Sequence, residues 1–171
     1  MHVRKVSSAE QHLVPALSAL LLDSVVNGAS IGFLETLTES EAGFYWEKVF
    51  ASLQESGLSL WIAEDGENLA GSVQLDRCKK ANGRHRAEIQ KLIVSSSARR
   101  LGVSKALMKA AEDFALATGI LLLVLDTEVD SVAELVYQKL GWRRSGEVPF
   151  YAARPNGELH ATVYYFKVLA R

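Results

Sequence analysis

Three consecutive pieces of this chain restrict its fold more than any others: "RAEIQKLIV" (residues 86–94), "GVSKALMKAAEDFALATG" (102–119) and "ILLLVLDT" (120–127). Apolar residues alternate in the first piece and recur at helical spacing in the second, and the third is uninterrupted. This pattern predicts a strand, a helix over residues 102–118 that stops at Gly119, and a strand covered on both faces. A strand, a crossover helix and a further strand lie parallel and adjacent, with a right-handed connection. The chain must therefore build a sheet with a parallel pair.

The flanking sequence makes that sheet mixed. "HVRKVS" alternates as a first strand, and Leu13, Leu17, Leu20, Leu21 and Val25 set a helix from residue 9 to about residue 26. Thr38 and Glu41 form a capping box for a second helix through "AGFYWEKVFASLQES", with Gly57 in the place of a left-handed C-cap. "LSLWIAED", the turn "GEN", "LAGSVQLDR", the loop "KKANGRH" and "RAEIQKLIV" read as an antiparallel meander. Ser131 and Glu134 suggest another capping box, for "VAELVYQKL", which ends at Gly141. "WRRSGEVPFYAA" and "ELHATVYYFKVLA" are then joined through the turn "RPNG". The expected class is α/β: a mixed, mostly antiparallel central sheet of about seven strands with a parallel central pair, flanked by about four helices. Its 171 residues suit a single domain over 1–171.

Charge excludes whole classes of partner. The net charge is -1, so neither nucleic acid nor an anionic membrane is attracted in bulk, and the basic stretches "CKKANGRHR" and "ARR" read as solvated loops. "MHVRK" followed by "LVPALSALLL" imitates a signal peptide, but Glu10, Gln11 and His12 interrupt it, and the apolar run ends at Asp23, too short to span a membrane. Cys78 is the only cysteine, which precludes an internal disulfide and fits a reducing cytoplasm. His2, His12, His85 and His160 have no metal-ligand spacing, so no metal is expected.

The stretch "SSSARRLGVSKAL" lies between the parallel strands, where open α/β sheets bind ligands. It carries neither G-x-x-x-x-G-K-[ST] nor G-x-G-x-x-G, which argues against nucleoside triphosphates and dinucleotides. What remains is R-x-x-G-x-S, with Arg99, Gly102 and Ser104. Spacing alone leaves two readings: amides converging on an anion, or an arginine-decorated helix start in which Gly102 relieves a backbone angle.

This loop resembles the R/Q-x-x-G-x-G/A acyl-CoA loop of the GNAT family of N-acetyltransferases, and the order of elements is similar to that fold from end to end. The resemblance implies acetyl-CoA as co-substrate. Arg99, Arg100, Leu101, Gly102, Val103, Ser104 and Lys105 would hold the pyrophosphate, and the backbone of Leu92, Ile93 and Val94 would pair with the pantetheine arm, with an amide near Val94 as oxyanion donor. Ser104 departs from the usual Gly or Ala. The family pattern N-x-x-A-x-x-x-Y falls on Asp130, Ala133 and Tyr137, with Asp130 in place of asparagine. The resemblance gives the Tyr137 hydroxyl the acid role at the coenzyme sulfur, whereas periodicity alone makes Tyr137 a core aromatic beside Val132, Val136 and Leu140. "GASIGFL", "NGRHRAEIQKLIV", "LDTEVDSVAE", "GEVPFY", "PNGELH" and "YYFK" are similar to a branch of the family that acetylates an amino-acid-like toxin, which implies a small-molecule amine as acceptor.

Acetyl transfer to an amine needs a group that removes the ammonium proton. Two carboxylates stand out. Alternation in "RAEIQKLIV" puts Glu88, Gln90, Leu92 and Val94 on one face, and Asp126 ends the apolar run at the carboxyl edge of the next strand. Partial burial would raise either pKa toward a useful base. The plainer alternatives are that Glu88 pairs with Arg86 or Lys91 and that Asp126 binds amides of the following loop. Acceptor recognition is assigned to "NGASIGFLETL", with Ser30 and Phe33, and to Phe150, Tyr151 and His160 near the terminal hairpin. A packed helix connection is the alternative for the first segment. Trp46, Trp61 and Trp142 are expected to serve core or coenzyme-half packing rather than a base-stacking platform. The competing functions are a protein or polyamine acceptor and a non-catalytic acyl-CoA-binding regulatory module, and the resemblance also implies a possible homodimer.

Overall fold

The computed structural model describes residues 1–53, 57–66 and 68–169. Its strands are β1 (His2–Lys5), β2 (Leu58–Asp65), β3 (Asn68–Arg77), β4 (Arg86–Val94), β5 (Leu122–Glu128), β6 (Arg143–Ala153) and β7 (Leu159–Val168). Its α-helices are α1 (Val14–Val26), α2 (Glu39–Ser52), α3 (Val103–Ala117) and α4 (Val132–Lys139). The seven strands form one mixed sheet in the order β1-β2-β3-β4-β5-β7-β6. β4 and β5 are its parallel pair, and the other pairings are antiparallel. The expected α/β class with a parallel central pair is what the chain forms.

Two apolar layers hold the helices to the sheet. Leu17 and Leu21 of α1 and Trp46 and Phe50 of α2 are buried against Leu60, Ile62 and Ile93 on one face. Leu107, Met108 and Ala111 of α3, with Tyr137 of α4, are buried on the other face against Val73, Leu75, Ile89, Leu123 and Leu125. Each such leucine or phenylalanine contributes on the order of 1.5–3 kcal/mol. Trp46, Trp61 and Trp142 all lie in the core.

Local signals place the ends of the helices. The Thr38 and Glu41 capping box forms with both of its reciprocal bonds. Gly119 and Gly141 follow α3 and α4 with φ of +81° and +79°, the left-handed conformation that closes a helix.

Five expectations need correction. α1 begins only at Val14, after a short 3-10 turn over Gln11–Leu13, because Pro15 suits the first turn of a helix. α2 stops at Ser52, so Gly57 is no cap: it precedes β2 and its carbonyl accepts from the Arg77 amide at 3.0 Å. The last expected residues of that helix (54–56), Glu67 of the "GEN" turn and Ala170 of the final strand lie outside the described residues. β5 is not covered on both faces: Leu123 and Leu125 are buried, whereas Leu122 and Val124 are half-buried and Asp126 is exposed. Glu134 does not complete a capping box at Ser131, because its carboxylate accepts instead from the Asp130 amide at 2.7 Å and from the Tyr165 hydroxyl at 2.7 Å.

The fifth correction concerns β4. Its pairing with β3 shifts between Ser72 and Gln74, where Ser72 faces Ile93 and Gln74 faces Gln90, so β4 carries one extra residue. Lys91 sits at this bulge with φ of +49°. Up to Gln90 the alternation holds, with Ala87 and Ile89 in the α3 layer and Glu88 and Gln90 on the α1–α2 face. Beyond the bulge it is inverted: Leu92 and Val94 pack with the α3 layer and Ile93 with the α1–α2 layer. Leu92 and Val94 therefore do not share the face of Glu88.

Candidate active site

The parallel pair is short. β4 and β5 are in register only at Arg86 with Leu122, Ala87 with Leu123 and Glu88 with Val124. Past these residues β4 stays with β3 as far as Val94 and β5 stays with β7 as far as Glu128, so the sheet divides. The main chain of Leu92, Ile93 and Val94 borders the resulting gap. Among the described residues its groups on that side have no strand partner, unlike those of an ordinary interior strand.

At the head of the gap, residues 95–98 turn into the loop before α3. Asp23 of α1 anchors this turn by accepting from the Ser96 amide at 2.8 Å and the Ser96 hydroxyl at 2.7 Å. Arg100 and Gly102 have φ of +66° and +80°, so the loop passes through two left-handed residues just before the helix begins. Gly102 is the N-cap of α3; the first-turn amides of Val103, Ser104 and Lys105 have no intrahelical acceptor, and among the described residues no side chain caps them. Arg99, Arg100 and Leu101 are exposed, and the two arginines make no ion pair among the described residues. Ala98 and Val103 are buried and pin the loop. Gly71 permits its close approach to β3, since a Cβ there would lie 2.6 Å from the Ile93 carbonyl oxygen and 3.0 Å from Val103. The row of open amides beside two cations fits a pyrophosphate, and the free edge of β4 fits an extended arm that carries amides. Half-buried Ser104 makes no side-chain hydrogen bond among the described residues, which leaves its hydroxyl free to face such a ligand.

Glu88 and Asp126 share one face of the sheet where it divides, because Glu88 pairs with Val124 and Asp126 lies two residues further along β5. Burial raises the Glu88 pKa, and the charges of Asp126 and Asp76 raise it further, against Gln90 and Lys91. The Asp126 side chain reaches solvent, yet protein packed around its carboxyl still removes hydration and raises its pKa, with Lys91 opposing. Neither carboxylate makes an ion pair within 4.0 Å among the described residues, and Arg86 turns away to donate to Cys78 Sγ at 3.3 Å. Tyr137 is only 6% exposed, and its ring lies 6.0 Å from that of Trp142. Burial, and then the Asp126 charge, pushes its pKa far up, so the hydroxyl keeps its proton at neutral pH. Tyr164 of β7 is the register partner of Asp126 of β5. Its pKa is pushed up to about 12, first by neighbouring Tyr151 and then by burial and the Asp126 and Glu88 charges.

The two segments assigned to acceptor recognition meet. The Glu35 amide in the α1–α2 loop donates to the Pro155 carbonyl in the β6–β7 turn at 2.9 Å. Phe33 packs edge-on against Tyr45 at 5.2 Å, and Tyr151 packs edge-on against Tyr164 at 5.8 Å. Phe150 sits at an irregularity of β6 with φ of +53° and is 76% exposed. His160 lies 3.6 Å from Glu128, which also binds Arg154 at 2.6 Å. Ser30 is half-buried in the α1–α2 loop and makes no side-chain hydrogen bond among the described residues.

The model of the acetyltransferase (GNAT) family matches residues 26–142, more than half of the chain. The chain belongs to the GNAT acetyltransferase family. Among proteins of similar sequence, N-acetyltransferase 8B of Rattus norvegicus is 32% identical over 97 residues, 56% of this chain and 44% of that protein. N-acetyltransferase 8 of Homo sapiens is also 32% identical over 97 residues, 56% of this chain and 43% of that protein. The matched stretch thus spans less than half the length of these two relatives. Among solved structures, a ribosomal-protein-alanine N-acetyltransferase from Brucella melitensis superposes with a TM-score of 0.81 at 21% identity, covering 99% of this chain and 100% of that one. An acetyltransferase from Salmonella typhimurium, solved with its cofactor acetyl-CoA, gives a TM-score of 0.80 at 16% identity over 100% of this chain and 95% of that one. At these identities the structural likeness is one of fold.

Within this GNAT fold the structure adds residues that sequence reasoning passed over. Lys91, expected only as a pairing partner of Glu88, enters the site in its own right because of the bulge, Tyr164 because it faces Asp126, and Asp23 because it holds the turn at Ser96. The only one with a readable signal was Tyr164, as an alternating residue of a strand that could pair with "ILLLVLDT". Two open clefts, of about 740 and 410 Å³, lie instead at the opposite end of the sheet, around Lys5, Leu58 and Phe114 and around Lys5, Ser7 and Leu53.

Proposed function

We propose that this GNAT protein is an acetyl-CoA-dependent N-acetyltransferase that transfers acetyl by direct attack of a small-molecule amine, within one domain over residues 1–171. The observation that carries the reading is the division of the sheet after Glu88 and Val124, with open amides at its head and two unpaired carboxylates on its flank. Acetyl-CoA supplies an activated acetyl thioester. Leu92, Ile93 and Val94 bind its arm through main chain, and the loop over residues 99–105 binds its pyrophosphate. Glu88 and Asp126 remove the ammonium proton, directly or through a water, and their raised pKa values bring them toward the pKa of a working base. Tyr137, held protonated, donates to the departing sulfur. Ser30, Phe33 and Tyr151 contact the acceptor. The resemblance of six segments to the tabtoxin resistance protein supports an amino-acid-like toxin or antibiotic as acceptor, and the single cysteine, Cys78, supports a cytoplasmic location.

An acetyl-CoA turnover screen read by free thiol release, against amino acids, β-lactam amino acids, aminoglycosides and polyamines, tests the reading. Turnover with an amino-acid-like amine is the expected result. Tight coenzyme binding with silence across the panel would favour the regulatory module. The second reading, a protein or polyamine acceptor, draws on the exposure of Phe150 and Tyr151, which leaves the acceptor side open along β6. Turnover with peptide amino termini alone would select it. β6 is exposed along most of its length and lies at the sheet edge, which supports a homodimer through the terminal strands, to be checked by sedimentation.

A further inference from the structure

Lys91 is the one β4 residue in the left-handed region, a conformation a lysine adopts only where its surroundings enforce it. Uninterrupted alternation would send its side chain into the apolar layer under α3, beside Ala87 and Ile89. The bulge turns it to the face of Glu88 and Asp126 instead.

On that face the ammonium is closely surrounded. Nζ donates to the Ile31 carbonyl in the α1–α2 loop at 2.8 Å. It lies 5.6 Å from the Phe33 ring centroid and 5.9 Å from that of Tyr45, two rings that pack edge-on against each other. Gly32, between Ile31 and Phe33, has φ of +89°, and a Cβ there would come within 3.5 Å of Nζ. Glu88 and Asp126 are near enough for their charges to act on Lys91, yet it forms no ion pair with either within 4.0 Å among the described residues. An ammonium that spends a hydrogen bond on a loop carbonyl beside two carboxylates leaves them free for an incoming cation.

We propose that Lys91 is a positioning residue that ties the α1–α2 loop over the acceptor side of the sheet and thereby sets the affinity for the amine. This rests on the acetyltransferase reading for its kinetic consequence, and on the hydrogen bond and the two rings for its structural one. The loop is joined to the β6–β7 turn at Glu35, so releasing it at Ile31 loosens the half of the loop that carries Ser30 and Phe33.

The experiment compares the parent with Lys91→Met, which keeps the stem and removes the donor, and Lys91→Arg, which keeps a donor and a cation that stacks on rings. In Lys91→Met, amides of residues 28–34 should exchange hydrogen about tenfold faster. The acceptor KM should rise about tenfold with a smaller change in kcat, while the Kd for acetyl-CoA stays within about twofold of the parent. Lys91→Arg should restore both loop protection and KM. Unchanged loop exchange in Lys91→Met, or an Arg variant no better than Met, overturns the proposal. If Lys91→Met does not fold, Phe33→Leu, which removes one ring beside Nζ and leaves β4 intact, should give the same faster exchange, and normal exchange there overturns it equally. A parent protein that binds no acetyl-CoA and turns over no amine would instead overturn the acetyltransferase reading, and the exchange comparison would still decide the role of Lys91.

Discussion

The proposed coenzyme side of the site and the proposed acceptor side are built from different materials. Residues 92–105 form one continuous piece of chain, and what they offer is main chain: a free strand edge, two left-handed residues and an uncapped helix end. The acceptor side gathers Phe33, Tyr45, Glu88, Lys91, Asp126, Tyr151 and Tyr164 from α1–α2, β4, β5, β6 and β7, and it offers side chains. A main-chain site tolerates changes of side chain unless they alter φ and ψ, whereas a side-chain site fails when one functional group is removed. Substitutions on the two sides should therefore separate cleanly in their effects.

The largest effect should come from neutralising both carboxylates. Glu88→Gln with Asp126→Asn is expected to lower kcat/KM for acetyl transfer by about 10³-fold, within the range of lost general-base catalysis. The Kd for acetyl-CoA, measured by calorimetry, should stay within about twofold, and a large weakening there would erase the distinction between the two sides. Tyr137→Phe comes next, with a loss of about 10²-fold in kcat and little change in either affinity. Gly102→Val probes the other side. A Cβ at Gly102 meets nothing within 4 Å, so any cost is backbone strain at φ of +80°, and the expected outcome is about tenfold weaker acetyl-CoA binding with an unchanged acceptor KM.

The smallest effect is on stability. A carboxyl whose pKa is higher in the folded than in the unfolded chain holds its proton more tightly when folded. Its contribution is full below the unfolded value and is lost as pH climbs through the folded one. Glu88 is raised in this way, first by burial. Glu88→Gln, which cannot ionise, should therefore melt about 1–2 °C above the parent at neutral pH, and the gain should vanish below about pH 4. The same raised values should place the rise of kcat/KM with pH above the ordinary carboxylate range, and a rise centred on the ordinary carboxylate value would count against the assigned base.

Features that depend on a few neighbouring residues were legible in the sequence. The Thr38 and Glu41 box, the stops at Gly119 and Gly141 and the parallel strands around α3 are all local or nearly so. Glu88 and Asp126 reach one face because two strands of period two keep their phase as far as Gln90. The features that were not legible depend on a partner elsewhere in the chain. The bulge at Lys91 exists only against the spacing of Ser72 and Gln74, and the Glu134 carboxylate turns to the Asp130 amide and the Tyr165 hydroxyl while its own amide still donates to Ser131. The "ILLLVLDT" run reads as buried on both faces because hydrophobicity does not report which layer covers a strand: among the described residues the α1–α2 layer packs on β2 and β4 without reaching β5, and past Val124 β5 also lacks β4 as a neighbour.

That missing neighbour has a thermodynamic consequence. A ligand arm laid along residues 92–94 would act as a surrogate strand, completing a ladder that the polypeptide leaves short of rungs. Its binding free energy then becomes part of the cohesion of the fold, about 2.7 kcal/mol at one hundred times Kd. The melting temperature would track the supply of coenzyme, so a cell depleted of it would hold a looser and more easily degraded protein as well as an idle one.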